Sequence, residues 1–233
     1  NVSASSNAVS ITVDTTVPGQ PAITTNDTST NITQPTISGT AEPNSTINLI
    51  SGGSSIGTAT TNGGGNFSVV PTSALGEGTY SLTVTATDAA NNVSASSNAV
   101  SITVDTTVPT ITGVSSPTAD ASYNAGDSIT IHVAFSEEVT VVGTPTLELN
   151  TGSTNRKATY TSGTGSTLVF TYTVESGDTA SDLDFLTNTA LALNGGTIKD
   201  AAGNDANLTL ASPGASGSLA DSSALVIDTT APG

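Results

Sequence analysis

The chain has 233 residues, enough for two small domains, and it contains no cysteine, which excludes disulfides and thiolate metal sites. Lys and Arg total 3 against 19 Asp and Glu, so the formal net charge is −16. This balance argues against nucleic acid and direct membrane contact as partners, because both require clustered basic residues, and it favours divalent cations. No apolar run approaches the ~20 residues of a membrane-spanning helix.

An internal repeat organises the chain. Residues 1–18 read NVSASSNAVSITVDTTVP, and residues 92–109 read the same eighteen letters. Near the C-terminus, VIDTTAP at 226–232 resembles the end of that segment. The three DTTxP motifs predict short, stiff linkers, since proline fixes φ and β-branched threonine favours extended backbone. The repeat predicts these domains: 1–17 as the last strand and linker of a preceding repeat, 18–105 as a first module, 106–228 as a larger second module, and 229–233 as the start of the next linker.

Both modules are predicted to be all-β. Apolar and polar residues alternate in several runs, and turn-forming clusters of Gly, Asn and Ser separate them. The clearest alternating runs are 80–86, 100–104, 129–135 and 168–174. About seven short strands per module predict two tandem Ig-like β-sandwiches joined by the DTTxP linkers. The segment LGEGTY at 75–80 predicts a tyrosine corner at Tyr80.

The predicted strand order brings distant acidic residues to one end of the first module. Asp14 lies in the entering linker, Glu42 follows the second strand and Asp88 follows the sixth. Asn62 can add an amide oxygen. Three carboxylates in a small space repel each other unless a cation lies between them, and Ca²⁺ takes six to eight oxygen ligands. The alternative is that they are solvated loop residues, because Asp and Asn favour turns.

The second module repeats this arrangement with different residues. Asp105 lies in its entering linker, Glu137 and Glu138 end its second strand, and Asp200 lies in the turn DAAGN. Asp228 occupies the corresponding place in the next DTTxP motif. Because the same positions recur in two divergent modules, we predict Ca²⁺ as the cofactor at each junction. A further hypothesis places a peripheral Ca²⁺ at the loop aspartates Asp178, Asp182 and Asp184.

Three motifs in the first module resemble the bacterial Ig-like repeats of giant type I-secreted surface adhesins. They are GTAEPNS at 39–45, TATDAANN at 85–92 and VDTTVP at 104–109. Residues 110–232 look like another Ig-like module of such proteins. The resemblance implies stalk repeats at the bacterial cell surface, in which Ca²⁺ is held at domain junctions. By motif position, that role falls on Asp14, Glu42, Asp88, Asp105 and Asp200.

We predict an extracellular stalk that is not an enzyme and that Ca²⁺ makes rigid. Its partners are calcium ions and neighbouring repeats, and the ligand of the adhesin lies outside this chain. Common catalytic signatures are absent, and the single histidine, His132, is predicted on the solvent face of its strand. Two alternatives remain open: a structural subunit of an extracellular filament, sheath or surface layer, and a carbohydrate-binding accessory module of a secreted enzyme.

The first thirteen residues raise a separate expectation. They match the last strand of the first module letter for letter, and a lone apolar strand is not stable in water. We therefore predict self-association through the 1–13 strand, by addition to a sheet edge of a neighbouring chain or of an adjoining module.

Overall fold

The computed structural model describes residues 1, 7 and 9–231, and it divides into two compact units, Asn1–Asp105 and Thr106–Gly233. The described part of the first unit contains eight strands. They are β1 (Ala22–Ile23), β2 (Thr28–Thr30), β3 (Ile37–Thr40), β4 (Thr46–Ser51), β5 (Ser54–Thr60), β6 (Asn66–Val69), β7 (Gly78–Thr87) and β8 (Val100–Val104).

Two sheets of the first unit share one apolar core. The smaller sheet has the order β1-β3-β6, and the larger one has the order β2-β8-β7-β4-β5. Alternation selects the core face: in β7, Leu82, Val84 and Ala86 are buried while the intervening threonines are partly exposed. Within the smaller sheet, β3 requires glycine at Gly39, because a Cβ there would collide with the carbonyl oxygen of Ala22 in β1 and with the Phe67 ring of β6. The all-β prediction is confirmed.

The predicted tyrosine corner is confirmed as well. Tyr80 lies near the start of β7, and its hydroxyl donates a hydrogen bond to the carbonyl oxygen of Gly76 at 3.0 Å. This bond ties the strand to the segment that precedes it.

The second unit contains more elements than the sequence predicted. Its described part has eleven strands and one helical turn. They are β9 (Ile111–Ser115), β10 (Ala121–Tyr123), β11 (Ser128–Val142), β12 (Thr146–Asn150), β13 (Arg156–Ser162), β14 (Gly165–Thr173), β15 (Thr179–Ala180), β16 (Asp184–Phe185), β17 (Leu191–Ala192), β18 (Thr197–Lys199), α1 (Leu219–Ser222) and β19 (Leu225–Asp228). The prediction of about seven strands is wrong here, because two-residue strands are too short to show alternation in the sequence.

The larger sheet of the second unit has the order β16-β12-β13-β14-β11-β18, with β17 also on β12 and β9 also on β11. A three-stranded sheet, β10-β19-β15, accompanies it. One core cluster draws buried residues from both sheets and from α1, among them Phe170 in β14, Ile227 in β19 and Leu219 in α1. Thus each unit has its own apolar core.

The long strand β11 changes partner along its length, and this change positions the acidic residues described below. Its first part pairs with β14 and with β9, whereas residues Thr140–Val142 pair with β18. The register shifts between Ala134 and Val139, as at a β-bulge. Glu137 and Glu138 lie within this irregular segment.

The segment before β1 has a different environment from its copy at 92–109. Residues 9–21 contain no strand, and the side chains of Val9, Ile11 and Val13 are 83%, 82% and 82% exposed. Residues 2–6 and 8 of the predicted 1–13 strand lie outside the described residues. Its pairing with a neighbouring chain stays a prediction. Across the described residues, no helix has the length and apolar character needed to cross a membrane.

Candidate metal centre

The turns DAANN and DAAGN form the same local structure in the two units. In the first, Asp88 Oδ1 accepts from the backbone nitrogens of Ala90 and Asn92, both at 2.8 Å. Asp88 Oδ2 accepts from Asn92 Nδ2 at 2.8 Å. The hydrogen bond from the Asn92 side chain, against a smaller opposing effect of burial, holds the pKa of Asp88 below its usual value.

The second turn makes a similar set of bonds, except that one donor lies three residues after the aspartate instead of two. Asp200 Oδ1 accepts from the backbone nitrogens of Gly203 and Asn204 at 2.7 and 2.8 Å. Asp200 Oδ2 accepts from Asn204 Nδ2 at 2.7 Å. In both turns, the side chain four residues after the aspartate is therefore an asparagine that holds the carboxylate in place.

One position in each turn has a positive φ. Asn91 has φ of 68° and Gly203 has φ of 96°, and each lies three residues after the aspartate. Only glycine and, less readily, asparagine adopt this conformation at low cost. This explains why the first motif has asparagine at this position and the second has glycine.

Glu137 approaches Asp200 because of the partner change in β11. Thr140 pairs with Lys199, so the residues just before Thr140 lie opposite those just after Lys199. One carboxylate oxygen each of Asp105, Glu137 and Asp200 lies within 4.8 Å of the others. We call these three residues the acidic group. Asp200 is 8% exposed, while Asp105 and Glu137 are partly exposed.

The spacing of the acidic group suits one cation. Two oxygens that each lie about 2.4 Å from the same Ca²⁺ are at most ~4.8 Å apart. Each carboxylate oxygen can accept two bonds, so the bond with Asn204 Nδ2 does not by itself prevent Asp200 Oδ2 from binding an ion. Three hard oxygen ligands match the preference of Ca²⁺ and Mg²⁺ rather than that of Zn²⁺, which prefers nitrogen and sulfur. The acidic group is therefore a candidate metal-binding cluster.

The acids predicted for the first unit are not brought together in this way. Within the described chain, no group containing Asp14, Glu42 and Asp88 places three carboxylate oxygens within 4.8 Å. Asp14 does approach the Asp88 turn through its backbone, since its carbonyl oxygen accepts from Asn92 Nδ2 at 3.1 Å. The side chain of Glu42 is exposed.

Three further predicted ligands have local partners or an exposed side chain. Asn62 Oδ1 accepts from the backbone nitrogens of Gly64 and Asn66, both at 2.9 Å. Glu138 is exposed beside Glu137.

Asp228 is also exposed, and its Oδ1 accepts from the backbone nitrogen of Thr230 at 2.9 Å. This bond lowers the pKa of Asp228, and Asp14 makes the equivalent bond to Thr16. The DTT sequence thus forms the same turn in both places.

Asp178 has a structural role that sequence reasoning missed. Its buried carboxylate accepts from Arg156 Nε at 2.8 Å, from the Tyr172 hydroxyl at 2.6 Å and from the backbone of Glu175 at 2.8 Å. Burial opposes ionisation, but the bonds from Tyr172 and Arg156 outweigh it, so the pKa of Asp178 is lowered. Burial also raises the pKa of Tyr172. No local pattern in the sequence indicates this pair, because Arg156 and Asp178 lie 22 residues apart on different elements.

The other loop aspartates bind backbone nitrogens. Asp184 accepts from the backbone nitrogens of Phe185, Gly214 and Leu219, and Asp182 accepts from that of Leu225 at 3.3 Å. The hypothesis of a peripheral Ca²⁺ at this loop is therefore not supported, because Arg156 already neutralises Asp178.

The comparisons with known proteins agree with the motifs of the first unit. Residues 8–106 match the family model of the bacterial Ig-like domain. This match confirms the resemblance to bacterial Ig-like repeats.

A solved structure described as the BSP domain of a biofilm-associated protein is also similar to the chain. The match covers 85% of this chain and 30% of that structure, with 22% sequence identity and a TM-score of 0.27. This chain thus spans less than a third of that structure's length. Among curated proteins, none matches the chain.

Proposed function

We propose that this chain is part of the extracellular stalk of a large bacterial surface adhesin, and that Ca²⁺ bound by the acidic group stiffens the linker between its modules. The match to the bacterial Ig-like domain supports a surface location and a non-catalytic role. The proposal that Ca²⁺ binds here depends on one observation: carboxylate oxygens of Asp105, Glu137 and Asp200 lie within 4.8 Å of one another. Such stalks hold a distal adhesive domain away from the cell, as in attachment and biofilm growth.

The linker is short enough for one bound ion to restrain it. Asp105 is anchored in the first unit, where its backbone nitrogen donates to the carbonyl oxygen of Thr30 at 3.0 Å. Pro109 is anchored in the second unit, where its carbonyl oxygen accepts from the backbone nitrogen of Asn207 at 2.8 Å. Only residues 106–108 lie between these anchors. An ion shared by Asp105, Glu137 and Asp200 would add a further restraint on this short segment.

Calcium suits the acidic group better than magnesium does. The three carboxylates come from a linker, a bulged strand and a turn, so their geometry is irregular. Ca²⁺ accepts irregular coordination, whereas Mg²⁺ requires a near-ideal octahedron and retains several waters. Calcium is also abundant outside cells.

Calorimetry and small-angle X-ray scattering on the whole chain test this proposal. We expect heat of Ca²⁺ binding in the wild type, and a larger maximum dimension and stiffer scattering profile with Ca²⁺ than with chelator. Asp105→Ala should abolish both effects. The matched control is Asp228→Ala, because Asp228 lies in the same DTT motif but is exposed and outside the acidic group. Absence of binding heat, with scattering unchanged by chelator, would overturn the proposal.

The carbohydrate-binding alternative has less support. Sugar-binding modules present exposed aromatic rings, yet all four phenylalanines and Tyr172 are buried here. The other three tyrosines are partly buried. The filament or sheath alternative depends on self-association of the chain, which stays a prediction.

A further inference from the structure

The last strand of the second unit is held on both edges by backbone pairing. This strand, β19, pairs with β10 in parallel register and with β15 in antiparallel register, where Asp228 lies opposite Thr179. The DTT segment at 228–230 begins at the end of this strand. Tension applied to the chain beyond the DTT segment therefore passes first through that segment and only then into β19. The contacts of the DTT segment decide where such a load enters the fold.

Thr229, in the middle of the DTT segment, is tied to a distant loop by its side chain. Its hydroxyl donates to the carbonyl oxygen of Asp178 at 2.9 Å, and the same oxygen accepts from the backbone nitrogen of Gly177 at 3.0 Å. These partners lie 51 and 52 residues earlier in the chain. One hydroxyl thus uses its donor and an acceptor site to hold two adjacent backbone groups. We call residues 175–178 the clamp loop.

The clamp loop is fixed to the larger sheet by Arg156 and Tyr172. Arg156, in β13, bridges both ends of the loop, with Nη1 at 2.7 Å from Glu175 Oε2 and Nε at 2.8 Å from Asp178 Oδ1. Tyr172, in β14, donates to Asp178 Oδ2 at 2.6 Å, and the backbone nitrogen of Glu175 donates to the same oxygen at 2.8 Å. The side chain of Asp178 is 1% exposed. The loop that holds Thr229 is therefore itself anchored from inside the unit.

Stability alone is a weak reason for this buried network. Replacing a buried ion pair by apolar side chains of similar volume often leaves stability unchanged or raises it. Apolar side chains, however, would not fix the direction of the Gly177 N–H and the Asp178 carbonyl, because they offer no directional bonds. A charged, hydrogen-bonded network does fix a loop in one orientation. The network therefore suits a loop that must stay in place while its partner is pulled.

We infer that Thr229 and the clamp loop form a clamp that carries tension from the DTT segment into the larger sheet of the second unit. The Arg156–Asp178–Tyr172 contacts keep the clamp loop in place under load. This inference rests on the proposed stalk function, since a stalk that links a cell to a surface is pulled along its chain. It gives the buried carboxylate of Asp178 a role that the acidic group does not provide.

Force measurements on single molecules of the full-length chain test the clamp, with one handle at each terminus. Each unit has its own core, so two unfolding steps are expected, and the longer second unit releases the longer stretch of chain. At constant force, Thr229→Val should raise the unfolding rate of the second unit about tenfold, as expected from the loss of two hydrogen bonds of ordinary strength. The first unit should unfold as before.

The matched control is Thr230→Val, in the same DTT segment. Thr230 is exposed, and its backbone nitrogen donates to Asp228, two residues before it. This change should leave the unfolding rate of the second unit as it is in the wild type. An increase equal to that of Thr229→Val would contradict the assignment of the load to Thr229.

Moving the C-terminal handle separates a clamp from an ordinary loss of stability. The chain has no cysteine, so Ala224→Cys provides a single attachment point at an exposed residue directly before β19. Load applied there bypasses β19 and Thr229, and Thr229→Val should then have little effect on the unfolding rate. The inference is overturned if Thr229→Val leaves the rate unchanged with the terminal handle, or raises it equally with both handles.

All force measurements are made in chelator, so that their outcome does not depend on the acidic group. A negative result for Thr229→Val would leave the calcium proposal standing. Absence of Ca²⁺-binding heat in calorimetry would overturn that proposal and leave the clamp standing. The two failures are therefore distinguishable.

Discussion

The two units differ in how they satisfy buried polar groups. Every buried charged residue in the described part of the chain lies in the second unit, namely Asp178, Asp184 and Asp200. The buried polar side chains of the first unit are hydroxyls, as in Ser94 and Ser97, whose oxygens each accept one backbone N–H. A carboxylate offers about four acceptor sites and can hold several loop nitrogens at once. The second unit, with its longer irregular loops, uses this capacity.

A second difference concerns the ends of the strands that precede the acidic positions. In the second unit, β11 continues past Glu137 and pairs with β18, the strand that leads into Asp200. In the first unit, β3 ends at Thr40 and pairs with β1 and β6, in the other sheet from β7 and Asp88. The same motif positions therefore meet in one unit and stay apart in the other. Acidic residues at matching motif positions therefore do not always come into contact.

The largest expected effect is a loss of unfolding free energy in the second unit that leaves the first unit unchanged. Asp178→Ala leaves Arg156 without its buried partner and the Tyr172 hydroxyl without an acceptor. Arg156 keeps its ion pair with Glu175, so the cost comes from the Tyr172 hydroxyl and the Glu175 N–H that are left without an acceptor, about 1–3 kcal/mol for each. We expect a loss of that size in the second unit alone, measured by calorimetry.

The matched control for this change is Asp182→Ala, which removes only a 3.3 Å bond to the Leu225 backbone. Its effect should be about 1 kcal/mol or less. Equal losses in both units after Asp178→Ala would contradict the independence of their cores.

The next effect is that of calcium. At 100 times its dissociation constant, a ligand stabilises the state that binds it by about 2.7 kcal/mol. We expect Ca²⁺ to raise the thermal midpoint of the second unit, and Glu137→Gln to remove most of this increase. The neighbouring change Glu138→Gln should leave it in place, because only Glu137 belongs to the acidic group. Equal responses of the two variants would place the ion elsewhere.

A smaller effect on stability is expected from substitutions at the positive-φ positions of the turns DAANN and DAAGN. Gly203 has φ of 96°, which an alanine adopts only under strain, so Gly203→Ala should cost about 1 kcal/mol or more in the second unit. Asn91 already adopts φ of 68°, and Asn91→Gly should change the first unit by less than about 0.5 kcal/mol. Chemical denaturation of both variants gives the comparison. A large loss from Asn91→Gly would show that the asparagine side chain, not its backbone, is required.

The smallest effect depends on pH. The pKa of Asp88 is lowered in the folded chain, mainly by the side chain of Asn92. A carboxyl group of this kind stabilises the fold above its unfolded pKa of about 3.9, and the stabilisation is lost as pH falls through the folded pKa. Asn92→Ala should therefore destabilise the first unit at neutral pH and differ less from the wild type well below about pH 4. Urea unfolding at the two pH values measures this, and a constant difference would refute it.

Several features of this protein followed from the sequence by itself. Alternation in residues 80–86 located β7, and the Gly-rich segment before it located the bond of Tyr80. The acids Asp105, Glu137 and Asp200 were also proposed together from strand order. A strand shows its two-residue alternation, and a tight turn its turn-forming residues, within a few positions of the sequence. Such local signals can therefore be recognised without the structure.

Only the tertiary structure decided which distant segments meet. The partner change of β11 brings Glu137 to Asp200, and no local pattern in residues 128–142 records it. The pairing of Arg156 with Asp178 and the exposure of Glu42 likewise depend on which strands become neighbours. Burial depends on the surfaces that surround a segment, and these come from residues far away in the chain.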